Sequence, residues 1–403
     1  MESVATGSEG VRALQRSLGT NQSGMRDFNE RLVLSLLRRH GSLAKTEIAR
    51  MTGLSAQTVS VIVRALEAEE LLVRGAPQRG KVGQPSIPMG LNPDGAYFLG
   101  LKIGRRSSDL ALIDFCGTIR HMHRRSYTYP TPEKTIEAVE ADIESIAAQA
   151  DERTWNRVAG LGIAIPFGLW NWADAAGAPP GAMDGWREAD IRASLAERFP
   201  FPVYLQNDAT AACGAELVFG ASAPEGDFIY FYIGAFVGGG IALGGHLFSG
   251  RTGNAGSLGS MPVPGKKGGT QQLIDVASIT VFEKALLARG KDTGHLWTSP
   301  DDWGAPDAGL EEWMESAANG LAHTILAASA LIDFQATIID GWLPLSVRAG
   351  IVERARHALG QLDSEGLTLP EVREGTVGRD ARALGGASLP LADRFLVGAQ
   401  SPF

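Results

Sequence analysis

The stretch KTEIARMTGLSAQTVSVIVRALEAEE (residues 45–70) leaves few folds open. Lys45 to Met51 places Ile48 and Ala49 on one side of a short helix. TGLS (52–55) is a tight turn, and Ser55 is a good N-cap for a following helix over 56–70. Val59, Ile62, Val63 and Leu66 recur at spacings of three and four, the period of an α-helix with one buried face. Upstream, from Phe28, Leu32, Val33, Leu36 and Leu37 form another such face, and Gly41 ends it. Downstream, LLVRGAPQRGKVGQPSIPMGLNP (71–93) reads as two short strands around a loop of glycine, proline and basic residues. Three helices, a glycine-containing turn between the last two and a basic hairpin make a winged helix-turn-helix.

That motif carries a chemistry. Ser55, Gln57, Thr58, Ser60 and Arg64 fall on the faces of the third helix that the apolar residues leave open. Short polar side chains suit base edges in a major groove, and glutamine can pair with adenine. Lys45, Arg64, Arg79 and Lys81, with Arg38, Arg39 and Arg74, are candidates for phosphate contacts, which position without specifying. The GKVGQPS loop (80–86), with Gln84, is a candidate for a minor groove. The alternative is a helical bundle that binds protein.

Charge supports the split. Residues 1–90 carry 12 Lys/Arg against 8 Asp/Glu, whereas the remainder carries 25 against 37, so a small basic module joins an acidic body. Two cysteines, Cys116 and Cys213, exclude a disulfide framework and a four-cysteine zinc site and suggest a reducing compartment. No apolar run approaches the ~18 residues of a membrane span and no signal peptide opens the chain, so the sequence reads as cytoplasmic with no membrane partner. Residues 1–24, rich in Gly, Ser and Thr, read as a mobile tail, and 25–90 as the DNA-binding domain.

From Asn92 the chain takes an α/β rhythm. Strands are expected at Tyr97–Ile103 and Asp109–Asp114, then VAGLGIAIP, PVYLQND, DFIYFYIG, GGGIALGGHLF and ATIIDGWL, with helices near 132–150, 188–198, 209–219 and through 271–330. Two strand–turn–strand units, each opening a βα region, predict a duplicated, two-lobed domain with a cleft. It spans 91–403, with lobe one about 91–206 plus the C-terminal helix and lobe two about 207–385.

The residues then carry a resemblance. GWREADIRASLAERFPFPVYLQNDATAACGAELVFG (185–220) and FIYFYIGAFVGGGIALGGHLFSGRTGNAGSLG (228–259), with a wing ending GQPSIPMGLNP, resemble a ROK-family transcriptional regulator over about 28–395. The resemblance implies an actin/hexokinase-like (ribonuclease H-like) fold, shared with sugar kinases, behind the winged helix-turn-helix. It implies four sites, each of which can be followed here. Kinase relatives open with an Asp two residues before Gly-Gly-Thr; the matching run is Lys102, Ile103, Gly104, Arg105, Arg106, and a lysine cannot ligate magnesium. This turn is therefore expected to be a plain hairpin with solvated charges, although two arginines could attract an anion. The catalytic Asp of relatives matches Asp208, beside Asn207; it is expected to bind a sugar hydroxyl, with helix capping as the alternative.

The second phosphate turn, Gly-Thr-Gly in relatives, has become Gly234-Ala235-Phe236. In the sugar-and-zinc segment Ser257 and Ser260 replace the relatives' Glu and His, no cysteine follows, and a later sugar-contacting Glu appears as Ile274, next to Asp275. No metal or cofactor is expected. Trp170 and Trp172 stand where relatives have a Gly-Pro turn and are read as packing residues, with stacking on a sugar as the alternative. The expectation is thus a repressor of carbohydrate transport or catabolism genes, without kinase activity. It would bind double-stranded operator DNA as a homodimer or homotetramer and take a sugar-like effector at Asn207, Asp208, Asn254, Ser257 and Ser260. The rival is an ATP-dependent sugar kinase with a DNA-binding head.

Overall fold

In a computed structural model, residues 22–77, 86–224, 226–265, 268–304 and 307–398 are described. Residues 1–21 of the expected tail and most of the expected wing loop lie outside them. The chain divides into two units: residues 1–95 with 394–398, and 96–393 with 399–403.

In the first unit the helices are α1 (Gln22–His40), α2 (Lys45–Thr52) and α3 (Ala56–Ala68). Val33, Leu34, Leu37, Ile48, Val59, Ile62, Val63 and Leu66 bury their side chains, each worth about 1.5–3 kcal/mol. Gly53, at φ 73°, turns the chain after α2, and its N–H bonds to Ala49 O at 3.0 Å. Ser55 caps α3 by accepting the Thr58 N–H at 3.0 Å. The sequence placed the end of α3 at Glu70; it ends two residues earlier. Glu70 takes φ 61°, its N–H bonds to Glu67 O, and the Leu71 N–H bonds to Leu66 O at 2.8 Å. That is a Schellman closure with glutamate in the place usually held by glycine. Strands β1 (Leu43–Ala44), β2 (Leu72–Arg74) and β3 (Pro88–Leu91) form an antiparallel sheet in the order β1-β3-β2, the base of the wing. In the same unit the Val397 N–H donates to Ser35 Oγ at 3.1 Å.

The second unit repeats one sheet plan. Strands β4 (Tyr97–Ile103), β5 (Ser107–Asp114), β6 (Ile119–Ser126), β7 (Val158–Ile165) and β8 (Val203–Asn207) order as β6-β5-β4-β7-β8. After β9 (Phe228–Ile233), β10 (Val237–Leu243) and β11 (His246–Phe248) comes a small ribbon of β12 (Pro262–Pro264) and β13 (Thr270–Gln272). With β14 (Ala336–Gly341) and β15 (Glu371–Glu374), the second sheet orders as β11-β10-β9-β14-β15. Each sheet has two antiparallel steps followed by two parallel ones. This is the duplication the two strand–turn–strand units imply. The glycines of GGHLF do more than the sequence reading gave them: Gly244 and Gly245, at φ 58° and 77°, split one expected strand into β10 and β11.

The main helices are α4 (Pro132–Gln149), α5 (Asp208–Phe219), α6 (Ala308–Ser329), α7 (Leu345–Gln361) and α8 (Ala381–Phe395). The helix expected over 188–198 shortens to Ile191–Ala196 because Asp190 caps it, accepting the Ala193 N–H at 2.9 Å. Sheet one buries Leu99, Leu101, Leu161 and Ile163 against α4; sheet two buries Phe231, Ile233 and Ile339 against α6 and α7. On the other face of sheet one, α8 lies so close that a Cβ at Gly162 would stand 1.9 Å from Gly386 O, and one at Gly100 2.1 Å from Ala383 O. These glycines bring the start of α8 beside the C-terminal ends of β4 and β7.

Candidate functional site

Two places carry chemistry. The first is the open face of α3. Gln57 and Arg64 are exposed, Thr58 and Ser60 are half-buried, and Val61 is 51% exposed. Gln57, Val61 and Arg64 are spaced at four and three, so they share a face. Val61 was missed in the sequence because apolar residues were assigned to the core; its signal was being out of phase with Val59, Ile62, Val63 and Leu66. A valine methyl group can meet a thymine methyl. Ser55, exposed, is partly spent: besides capping, its hydroxyl shares a hydrogen bond with Thr58 Oγ1 at 2.8 Å. The Arg64 Nε–H donates to Ser60 O at 3.0 Å, which holds its guanidinium along the helix surface. Lys45 is half-buried at the start of α2, and Arg74 is paired with Glu67 at 2.5 Å. Arg79, Lys81 and Gln84 lie outside the described residues.

The second place is the cleft of the second unit, where β4, β7, β8, the β9–β10 turn and α8 meet. Asn207 ends β8 and caps α5, its Oδ1 accepting the N–H of Ala209 at 3.1 Å and of Thr210 at 3.3 Å. The cap is thus Asn207, and Asp208 keeps its carboxylate for other partners. That carboxylate pairs with Arg382 of α8, Nη1 to Oδ2 3.3 Å. Arg382 also lies 4.9 Å from the Tyr232 ring centre. Asn254, Ser257 and Ser260 are exposed on the segment after β11, and the Ser257 hydroxyl donates to Asn254 O at 2.8 Å. Among the described residues none of the three bonds to Asn207 or Asp208, although the Gln206 side chain at the end of β8 reaches Ser249 at 3.0 Å. Ile274 packs against the core of lobe two, and Asp275 accepts the Gln272 N–H at 3.2 Å.

The opening turn differs most from expectation. The sequence predicts an exposed hairpin with solvated charges. Lys102 is only 5% exposed. Its ammonium donates to Ser107 Oγ at 2.6 Å and pairs with Asp109 at 3.3 Å. Arg105 is half-buried, its guanidinium 4.2 Å from the Trp172 ring centre and 3.8 Å from that of Phe236. Those two rings are 4.6 Å apart and tilted by 47°, so they form an aromatic corner spanning both lobes. Arg106 is exposed but also engaged, with Glu283 at 3.5 Å and the Trp297 ring centre at 5.6 Å. The sequence reading failed because the solvated-charge rule describes isolated surface residues, and Trp172 and Phe236 come from segments 67 and 131 positions away. Trp172 therefore packs, as read, but in the cleft.

Burial governs the ionisation here. It lowers the Lys102 ammonium to about 8, with Asp109 opposing. It lowers Arg105 to about 10 despite the nearby Asp208. It raises the Tyr232 phenol to about 12. For Lys102 the sign follows directly. Between pH 8 and the ordinary lysine value the unfolded chain holds a proton the folded chain has released, so stability rises with pH across that window. Urea midpoints taken at pH 7.5, 8.5 and 9.5 should climb in the wild type relative to Lys102→Met; parallel profiles would refute this.

Among the described residues no three His, Cys, Asp or Glu side chains gather as a metal site, and no helix is long and apolar enough to cross a membrane. At the opening turn Lys102 and Arg105 present an ammonium and a guanidinium, groups that repel a metal ion rather than ligate it.

Comparison with known proteins fits this geometry. Residues 98–391 match the ROK family model, and residues 27–81 match the MarR family model. An uncharacterized protein of Sinorhizobium fredii is 25% identical over 374 residues, covering 92% of this chain and 93% of its own. The xylose repressor of Bacillus subtilis is 26% identical over 243 residues, 60% of this chain and 62% of the repressor, so under two thirds of its length is matched. A crystal structure of a ROK family transcriptional regulator, a homolog of the E. coli MLC protein, superposes with a TM-score of 0.64 at 18% identity, over 92% of this chain and 97% of that one. At that identity the superposition speaks for the fold.

Proposed function

The chain belongs to the ROK family, and from that premise we propose that it is a DNA-binding transcriptional regulator, controlled by a small sugar-like ligand and without kinase activity. Its helix-turn-helix would bind double-stranded operator DNA, with Gln57, Val61 and Arg64 at base edges and Ser55, Thr58 and Ser60 beside them. Lys45, Arg79 and Lys81 would hold phosphates, and Gln84 would reach a minor groove. The ligand would sit by Asn207 and Asp208, with Asn254, Ser257 and Ser260 closing over it. Ligand affinity that differs between open and closed lobes shifts their populations, and any difference in DNA affinity between those states makes the switch. By its similarity to a xylose repressor we infer repression of carbohydrate genes in the cytoplasm, by a homodimer or homotetramer.

The observation that carries the loss of kinase activity is Lys102, buried where kinase relatives hold a metal-associated Asp. Phosphoryl transfer depends on positioning phosphates and metal and on neutralising developing charge. A buried ammonium there opposes the metal. The rival kinase reading draws on Asp208, retained at the end of β8. A coupled ATPase assay with a panel of pentoses and hexoses separates the two: no sugar-dependent ADP release is expected, and turnover abolished by Asp208→Asn would overturn the proposal.

A further inference from the structure

The cleft contains more positive charge than it neutralises. Asp208 lies within electrostatic range of Lys102, Arg105 and Arg382; Arg382 lies within range of the other two cations, and Asp109 within range of Lys102 and Arg382. Asp109 is committed to Lys102 at 3.3 Å and Asp208 to Arg382 at 3.3 Å. Arg105 has neither a carboxylate partner nor a hydrogen bond among the described residues; its contacts are the faces of Trp172 and Phe236. The Nε–H groups of both Arg105 and Arg382 are buried without an acceptor. A buried donor left unpaired costs about 1–3 kcal/mol, more when the group is charged. Ring faces offset part of the cost of the charge but accept no conventional hydrogen bond from Nε. Two unpaired guanidinium N–H groups and one net positive charge in the same cleft describe a receptor for an oxyanion.

We propose that the cleft ligand carries a single carboxylate, bound by the Arg105 and Arg382 guanidinium groups, so that the effector is a sugar acid rather than a neutral sugar. The charge count selects the class. Three cations and two carboxylates leave one positive charge, which a monoanion neutralises; a phosphate dianion would leave an uncompensated negative charge in a desolvated site. Arginine suits the role because its planar fork matches both oxygens of a carboxylate. Trp172 and Phe236 then have a second use: a sugar ring's C–H face can rest on the corner that Arg105 covers. Lys102, satisfied by Ser107 and Asp109, is a positioning residue that fixes the turn bearing Arg105.

This inference rests on the proposed ligand control and names the ligand's class. Titration calorimetry of the full chain at pH 7.5 tests it, with D-glucuronate, D-galacturonate and D-xylonate set against glucose, galactose, xylose and glucose 6-phosphate. At least one sugar acid is expected to bind about tenfold or more tightly than its neutral parent. Arg105→Gln should remove that preference, bringing the acid and its neutral parent to within about twofold of each other. A neutral sugar binding as tightly as its acid, glucose 6-phosphate binding more tightly than every acid, an Arg105→Gln variant that keeps the preference, or no binding by any acid at 10 mM would each overturn it. Duplex DNA binding by the same preparation separates the two failures. If it persists, the regulator reading stands without the carboxylate site; if it is absent, that reading falls as well.

Discussion

Replacing Arg348 by alanine is expected to destabilise the second unit by about 3–5 kcal/mol, the range for stripping one partner from a buried ion pair. Asp340, at the end of β14, is fully buried, and its carboxylate accepts from Arg348 Nη1 at 3.0 Å, from the Tyr230 hydroxyl at 3.1 Å and from the Gly378 N–H at 2.8 Å. Glu216 of α5, also fully buried, accepts from the N–H groups of Thr376 at 3.0 Å and Val377 at 3.2 Å and from the Thr376 hydroxyl at 3.0 Å. Burial raises the Glu216 carboxyl above its ordinary value, with these bonds opposing. The two carboxylates therefore hold the loop that begins α8 and, four residues on from Gly378, Arg382. Without Arg348 the Asp340 charge keeps two donors but loses its counter-ion. Urea unfolding followed by circular dichroism measures the cost, and Arg348→Ala combined with Asp340→Asn should recover part of it. A loss below about 1 kcal/mol would show that Tyr230 and Gly378 suffice to hold the charge.

The second large effect concerns DNA. Gln57→Ala and Arg64→Ala are each expected to weaken binding to a selected duplex by about 1–3 kcal/mol, the range for a bidentate base contact. Both side chains are exposed, so the fold should be unaffected. Each should relax the sequence preference at one or two positions, and Arg64→Ala, which also removes a charge, should lessen the salt dependence as well. Fluorescence anisotropy with wild-type and single-mismatch duplexes reads both. Affinities within twofold of wild type for both variants would remove α3 from the interface.

How much of this could be read from the chain depended on how local the determinants are. The first unit was legible because its signals are short-range: Ser55 as a cap, Gly53 as a turn, and the phase of Val59, Ile62, Val63 and Leu66. Where α3 ends was misread because Glu70 adopts a conformation usually left to glycine. The sheet plan was legible from the two strand pairs. The cleft was not. Lys102 and Arg105 look like surface charges in sequence, and their burial depends on Asp109, Trp172 and Phe236 arriving from other strands and turns. The Asn207-Asp208 pair stood out in the sequence as a candidate, but not the division of labour within it, which requires Arg382 from a helix 174 residues later. Val61 was hidden by its own hydrophobicity.

The most direct test of the central claim is selection of duplex DNA from a random-sequence pool by the full-length chain. The account predicts enrichment of one sequence family, bound at least a thousandfold more tightly than bulk DNA at physiological salt, with a repeated half-site if the chain binds as a dimer. Gln57→Ala should shift or blur that family. No enrichment over the starting pool, or enrichment that Gln57→Ala and Arg64→Ala leave unchanged, would contradict it.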